Sequence, residues 1–108
     1  MPKSELLHGT LELLVLRMVS REPMNGYGIG KRIEELTADA LRVDEGSLYP
    51  ALYRMERQGW LASSWRLTEK NRRAKFYRIT AKGRRRLSQQ RTKWNDFSAA
   101  VTKILESA

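Results

Sequence analysis

The chain has 108 residues, of which 31% are charged and 41% hydrophobic, and its formal net charge is +9. That is the size of one small folded domain, with room for one further element, and the composition is not that of a disordered segment. With no cysteine, disulfides, iron–sulfur clusters and thiolate zinc sites are excluded.

The longest apolar run, residues 13–16, lies between Glu12 and Arg17 and is too short for a membrane span. Residues 1–5, MPKSE, lack the layout of a signal peptide, so a cytoplasmic protein is expected. The charge is concentrated. Residues 1–65 carry eight Lys/Arg against nine Asp/Glu, whereas residues 66–93 carry twelve against Glu69 alone. A block this lopsided points to a polyanion, nucleic acid before an anionic membrane surface, and away from an ordinary solvated face.

Residues 5–20 read as a helix. Leu6, Leu7, Leu11, Leu14, Val15 and Met18 follow helical steps, and Leu13, Leu16 and Val19 widen the stripe almost all round. A helix this apolar is buried on most sides, and within so small a domain a second subunit is one source of cover, with Leu11 a candidate contact. Pro23, Gly26 and Gly28 break the chain at 22–28. A second helix is predicted for about 27–37, with Ile29, Ile33 and Leu36 inward, then a connection over 37–45 containing a short strand at 41–43. The third helix spans roughly 47–58, buries Leu48, Leu52 and Met55, and ends at Gly59, a residue suited to left-handed backbone. Pro50 is tolerated if that helix starts near Gly46 or Ser47, where first-turn N–H groups have no internal partner.

From residue 60 the period becomes two. Residues 61–67 and 75–79 read as strands, and 68–74 as a basic hairpin tip. Three helices followed by a hairpin is the order of a winged helix-turn-helix. Thr80 can cap a last helix running to Leu105, on which Leu87, Trp94, Phe97, Val101 and Ile104 are spaced as a heptad seam. A second copy of that helix is the simplest cover for the seam, so a homodimer is expected. The fold class is therefore α+β and mostly helical: a winged helix-turn-helix DNA-binding domain over residues 1–80 and a C-terminal dimerisation helix over 81–108.

Ser47, Tyr49, Pro50, Tyr53, Arg54 and Arg57 lie off the buried row of the third helix. The N-terminal part of such a helix enters the major groove of double-stranded DNA, where hydroxyls reach phosphates and arginine reaches phosphate or guanine. Lys70, Arg72, Arg73 and Lys75 give a basic wing suited to a phosphate backbone or a minor groove. Trp94 and Phe97 are aromatics on the seam, either plain interface core or a slot for a flat small-molecule inducer. The single histidine, His8, has no second histidine, cysteine or carboxylate cluster beside it, so no metal site is expected. No nucleophile–base arrangement or phosphate loop is visible, so neither catalysis nor a cofactor is expected.

The stretches LHGTLELLVL (7–16), NGYGIGKRI (25–33), EGSLYPALYRMERQGWL (45–61) and RRAKFYRITAKGR (72–84) resemble the PadR family of bacterial transcriptional regulators. The resemblance implies a winged helix-turn-helix homodimer that represses transcription at a palindromic operator. It also implies that Tyr27, Ser47, Tyr49, Pro50, Arg54, Arg73 and Lys75 face DNA, and that an inducer binds between subunits as in short members with one C-terminal helix. The family's wing often carries Gly and Pro at its tip, and EKNRRA (69–74) has neither. A rival from another class is a winged-helix module that docks a protein and touches DNA only nonspecifically.

Overall fold

The computed structural model describes the backbone of residues 3–108 and the side chains from Gly9 onward. The expectations for the side chains of Leu6, Leu7 and His8 lie outside the described residues. Helix α1 (Lys3–Val19) is the centre of the core. Leu11, Val15, Leu16 and Val19 are buried against Ile29, Ile33, Leu48, Leu52 and Met55 from the next two helices and against Leu61, Tyr77 and Ile79 from the hairpin. Leu11, expected at a subunit interface, is only 4% exposed. It shares the inner face of α1 with Val15, one helical turn on, and has no surface left for a second chain.

A two-residue strand β1 (Met24–Asn25) precedes α2 (Gly26–Leu36). The Asn25 side chain accepts the Gly28 N–H at 2.7 Å and caps α2. Ile29 and Ile33 are buried, but Leu36, expected inward, is 55% exposed at the helix end. Residues 41–43 form no strand and pair with none of the three strands of the sheet. The connection is held instead by Thr37, whose hydroxyl donates to the Ile33 carbonyl at 2.9 Å and accepts the Leu41 N–H at 3.1 Å.

Helix α3 (Glu45–Arg57) begins two residues earlier than the sequence suggests, and Gly59 follows it with φ +80°. Strands β2 (Leu61–Leu67) and β3 (Arg73–Ile79) pair antiparallel, with Trp65 opposite Lys75 and Leu67 opposite Arg73. β1 adds to the other edge of β3, giving the order β1-β3-β2. The hairpin tip does without glycine because Asn71 takes the left-handed conformation at φ 60°, which asparagine tolerates better than most residues.

Helix α4 (Ala81–Leu105) starts at Thr80, whose hydroxyl accepts the Gly83 N–H at 3.0 Å and donates to the Gly59 carbonyl at 2.6 Å. Its first turn packs so closely on the chain after α3 that a Cβ on Gly83 would overlap the Trp60 carbonyl oxygen. Leu87 packs against the core, whereas Trp94, Phe97, Val101 and Ile104 are exposed. At 25 residues α4 is about 37 Å long, in a molecule whose overall extents, α4 included, are 58 × 29 × 21 Å. No helix among the described residues is long and apolar enough to cross a membrane.

Candidate nucleic-acid interface

Helix α3 is fixed at its start by Asp44. One carboxylate oxygen accepts the Ser47 N–H at 2.8 Å, and the other accepts the Ser47 hydroxyl at 3.2 Å. Ser47, expected to donate to phosphate, therefore has its hydroxyl engaged in the cap. Pro50 is the sixth residue of the helix rather than a first-turn residue. The N–H it lacks would have met the Gly46 carbonyl, which sits at an exposed position open to solvent. Beyond the cap, α3 presents Tyr49, Pro50, Tyr53, Arg54 and Arg57 outward. The Arg57 guanidinium stacks 5.7 Å from the Tyr53 ring centre.

Tyr49 lies flat on the start of α2. A Cβ on Gly26 would stand 2.5 Å from its ring. Next to it Tyr27, 66% exposed, projects from the first turn of α2. Tyr27, Tyr49, Trp65, Lys75 and Tyr77 line one cleft of about 330 Å³ between α2, α3 and the hairpin. The first turn of α2, the outer face of α3 and the inner face of the wing thus form one continuous surface.

On the wing, Arg73 stacks 5.3 Å from the Trp65 ring and Arg66 stacks 5.1 Å from Phe76. Arg72 is exposed at the tip. Lys75, expected to face DNA, carries an ion pair within the protein. Its ammonium is 2.9 Å from the Glu56 carboxylate, whose other oxygen accepts the Ser63 hydroxyl at 2.6 Å. The Ser63 hydrogen bond, joined by Lys75, outweighs burial and holds the Glu56 carboxyl below its ordinary value. The bond to Glu56 raises Lys75 in turn. Burial raises the neighbouring Tyr77 phenol.

Sequence reasoning missed Trp65 and Leu67 as surface residues. The alternation puts both on the face of Leu61 and Tyr77, which is core at one end of the hairpin. The strands outrun the body, so at the outer end that face is bare, and Trp65 is 60% exposed. A large apolar residue at the far end of an alternating strand, next to a basic tip, is the signal that would have found it.

A second exposed apolar surface lies on the opposite element. The Trp94 and Phe97 rings are 6.4 Å apart, and with Leu13, Leu14 and Leu41 they line a cleft of about 550 Å³ between α1 and α4. Two of the basic residues that open α4 turn toward the body. Arg86 stacks 4.4 Å from the Trp60 ring and faces Glu12 at 3.8 Å, and Arg84 donates to the Ser20 carbonyl at 3.3 Å.

Comparison with known proteins bears on this arrangement directly. The model of the transcriptional regulator PadR-like family matches residues 15–89. A PadR family transcriptional regulator from Eggerthella lenta is 36% identical, superposes with a TM-score of 0.81, and is matched over 96% of this chain and 88% of its own. A transcriptional regulator from Clostridium thermocellum is 26% identical, with a TM-score of 0.86 over 95% of this chain and 100% of its own. A PadR-like transcriptional regulator from Bacillus cereus is 28% identical, with a TM-score of 0.82 over 97% of this chain and 100% of its own. The family match runs from α1 through α3 and the hairpin into α4, and its members are regulators rather than enzymes; the chain belongs to the PadR-like family of transcriptional regulators.

Proposed function

We propose that this regulator is a sequence-specific repressor that binds a palindromic operator as a homodimer and is released by a small-molecule signal. The observation that carries the reading is the convergence of Tyr27, Tyr49, Tyr53 and Trp65 with Arg54, Arg57 and Arg73 on one exposed surface built by α2, α3 and the wing. Aromatic rings and arginines together suit base edges and sugars as well as phosphates, whereas a surface for nonspecific polyanion contact needs only charge.

In this reading α3 enters the major groove with Tyr49, Pro50, Tyr53 and Arg54 toward the bases. Asp44 and Glu45 disfavour phosphate at the helix start, so backbone contacts fall to Tyr27 on α2 and to Arg72 and Arg73 on the wing. Ser47 and Lys75 build the surface rather than touch the duplex. Residues 1–80 act as the DNA-binding unit and 81–108 as the dimerisation helix. A second copy of α4 covers Trp94, Phe97, Val101 and Ile104, all exposed in the protomer. The cleft beside Trp94 and Phe97 takes a flat apolar ligand, which acts by favouring a dimer geometry whose α3 helices no longer fit successive major grooves.

Selection from a random duplex pool tests the reading. Enrichment of an inverted repeat with half-sites about one helical turn apart is the expected result. Uniform binding of all duplexes contradicts it.

A further inference from the structure

Glu56 is the acidic residue that α3 turns toward the wing, and its two carboxylate oxygens grip different strands. Oε2 accepts the Ser63 hydroxyl of β2 at 2.6 Å, and Oε1 meets the Lys75 ammonium of β3 at 2.9 Å. The contact is partly exposed, with the side chains of Lys75 and Glu56 35% and 31% accessible. The Lys75 ammonium also lies 5.7 Å from the centre of the Tyr77 ring, so its position is bounded on two sides. A single side chain on the recognition helix therefore fixes the hairpin through both of its strands, one turn before the hairpin becomes the free wing.

We propose that Glu56 is a positioning residue for DNA recognition: it sets the angle of the wing to α3 and occupies the Lys75 ammonium so that this charge is withheld from DNA phosphate. The inference rests on the duplex-binding reading above. The ammonium has three N–H groups, but its charge is neutralised by the Glu56 carboxylate and its position is held there, so a phosphate oxygen, which would make the same kind of charge-assisted contact, has to compete with Glu56 for it. A lysine contact to phosphate adds affinity for every sequence alike. Withholding Lys75 leaves the aromatic and arginine surface to decide where the protein binds, and so favours discrimination over bulk affinity.

The salt dependence of duplex binding reads the competition, because it counts phosphates neutralised. In the Glu56→Gln variant Lys75 is released, and the slope of log affinity against log salt steepens by about 0.9, so that a fourfold rise in salt weakens binding about 3.5-fold more than in wild type. Adding Lys75→Met to Glu56→Gln returns the slope to the wild-type value. That second step excludes the simpler explanation that removing any negative charge near DNA strengthens binding. On a selected duplex against a scrambled one, Glu56→Gln narrows the preference. The proposal is overturned if Glu56→Gln leaves the slope unchanged, or if the steepening survives Lys75→Met. It is equally overturned if Lys75→Met alone flattens the wild-type slope by about 0.9, which would mean that Lys75 already touches phosphate. Those outcomes leave the duplex-binding reading standing, whereas wild type that binds no duplex in a salt-dependent way removes both.

Discussion

Gly83→Ala separates packing from propensity at the junction of the chain after α3 with α4. Alanine is favoured over glycine by at most about 1 kcal/mol in the first turn of a helix, so on propensity alone the change stabilises α4. The structure opposes it. The new methyl group would overlap the Trp60 carbonyl oxygen, stand 2.8 Å from Ile79 Cγ1 and 3.0 Å from the Trp60 carbonyl carbon. Two of these atoms are backbone and have no rotamer to adopt. The same carbonyl accepts the Thr80 N–H at 3.1 Å, so moving it strains the start of α4 as well. Overpacking of this kind costs about 1–3 kcal/mol, and a weakened hydrogen bond adds about 1 kcal/mol. The net loss is about 2 kcal/mol, which in a domain of this size lowers the melting temperature by roughly 10 °C. Gly9→Ala is the control, since a Cβ there meets nothing within 4 Å. It should raise stability by about 0.5–1 kcal/mol in the same calorimetric or dichroism melt at fixed protein concentration. A Gly83→Ala protein melting at or above wild type would refute the close packing of α4 on Trp60.

Asp44→Ala removes the acceptor for the Ser47 N–H and hydroxyl, and should lower stability by about 1 kcal/mol in urea unfolding, with faster amide exchange over the first turn of α3. Gly26→Ala drives a methyl group into the Tyr49 ring, which is a side chain at the surface and can swing away. Its melting temperature should stay within about 5 °C of wild type while its preference for a selected duplex collapses. The Glu56–Lys75 pair makes stability depend on pH. Glu56 is lowered from 4.5 in the folded chain, so its contribution is complete above that value and lost as pH falls through the folded value. Lys75 is raised from 10.5, so its contribution holds below that value and is lost as pH rises through its folded value. The gap between wild type and Glu56→Gln in urea unfolding, no more than about 1 kcal/mol for so exposed a pair, should be constant across neutral pH and close in acid.

The helices and the hairpin were legible because each carries its own period. α1, α2 and α3 bury Leu, Ile and Met at helical steps, and the switch to alternation at residue 61 marks the start of β2. What escaped depends on neighbours that a linear pattern does not contain. β1 is two residues long and exists because the free edge of β3 offers backbone groups at Phe76 and Tyr77. Residues 41–43 have the composition of a strand, yet they pair with no strand of the sheet, and Thr37 holds the connection instead. Leu11 belongs to an apolar stripe so wide that the sequence does not say which part faces the protomer's own core and which part a partner. The candidate surface divides the same way. Tyr49, Tyr53 and Arg54 stand outward as their spacing suggests, and Tyr27 and Arg73, which the family resemblance and the basic hairpin tip point to, are exposed as well. Ser47 and Lys75 look equally suited to phosphate, but Asp44 and Glu56 reach them first. Those acids sit 3 and 19 residues away, and the longer span is set by the register of the wing against α3.

The proposed repressor function turns on sequence reading by the face of α3 that bears Tyr49. Its most direct measurement is the affinity of wild type and Tyr49→Ala for a selected inverted-repeat duplex and for a scrambled duplex, at one salt concentration. Loss of a base-reading contact is worth about 1–3 kcal/mol, so the substitution should reduce the preference for the selected duplex about tenfold or more while binding to the scrambled one changes little. If Tyr49→Ala keeps the full preference, or weakens both duplexes by the same factor, α3 does not read sequence through this face and the account is wrong.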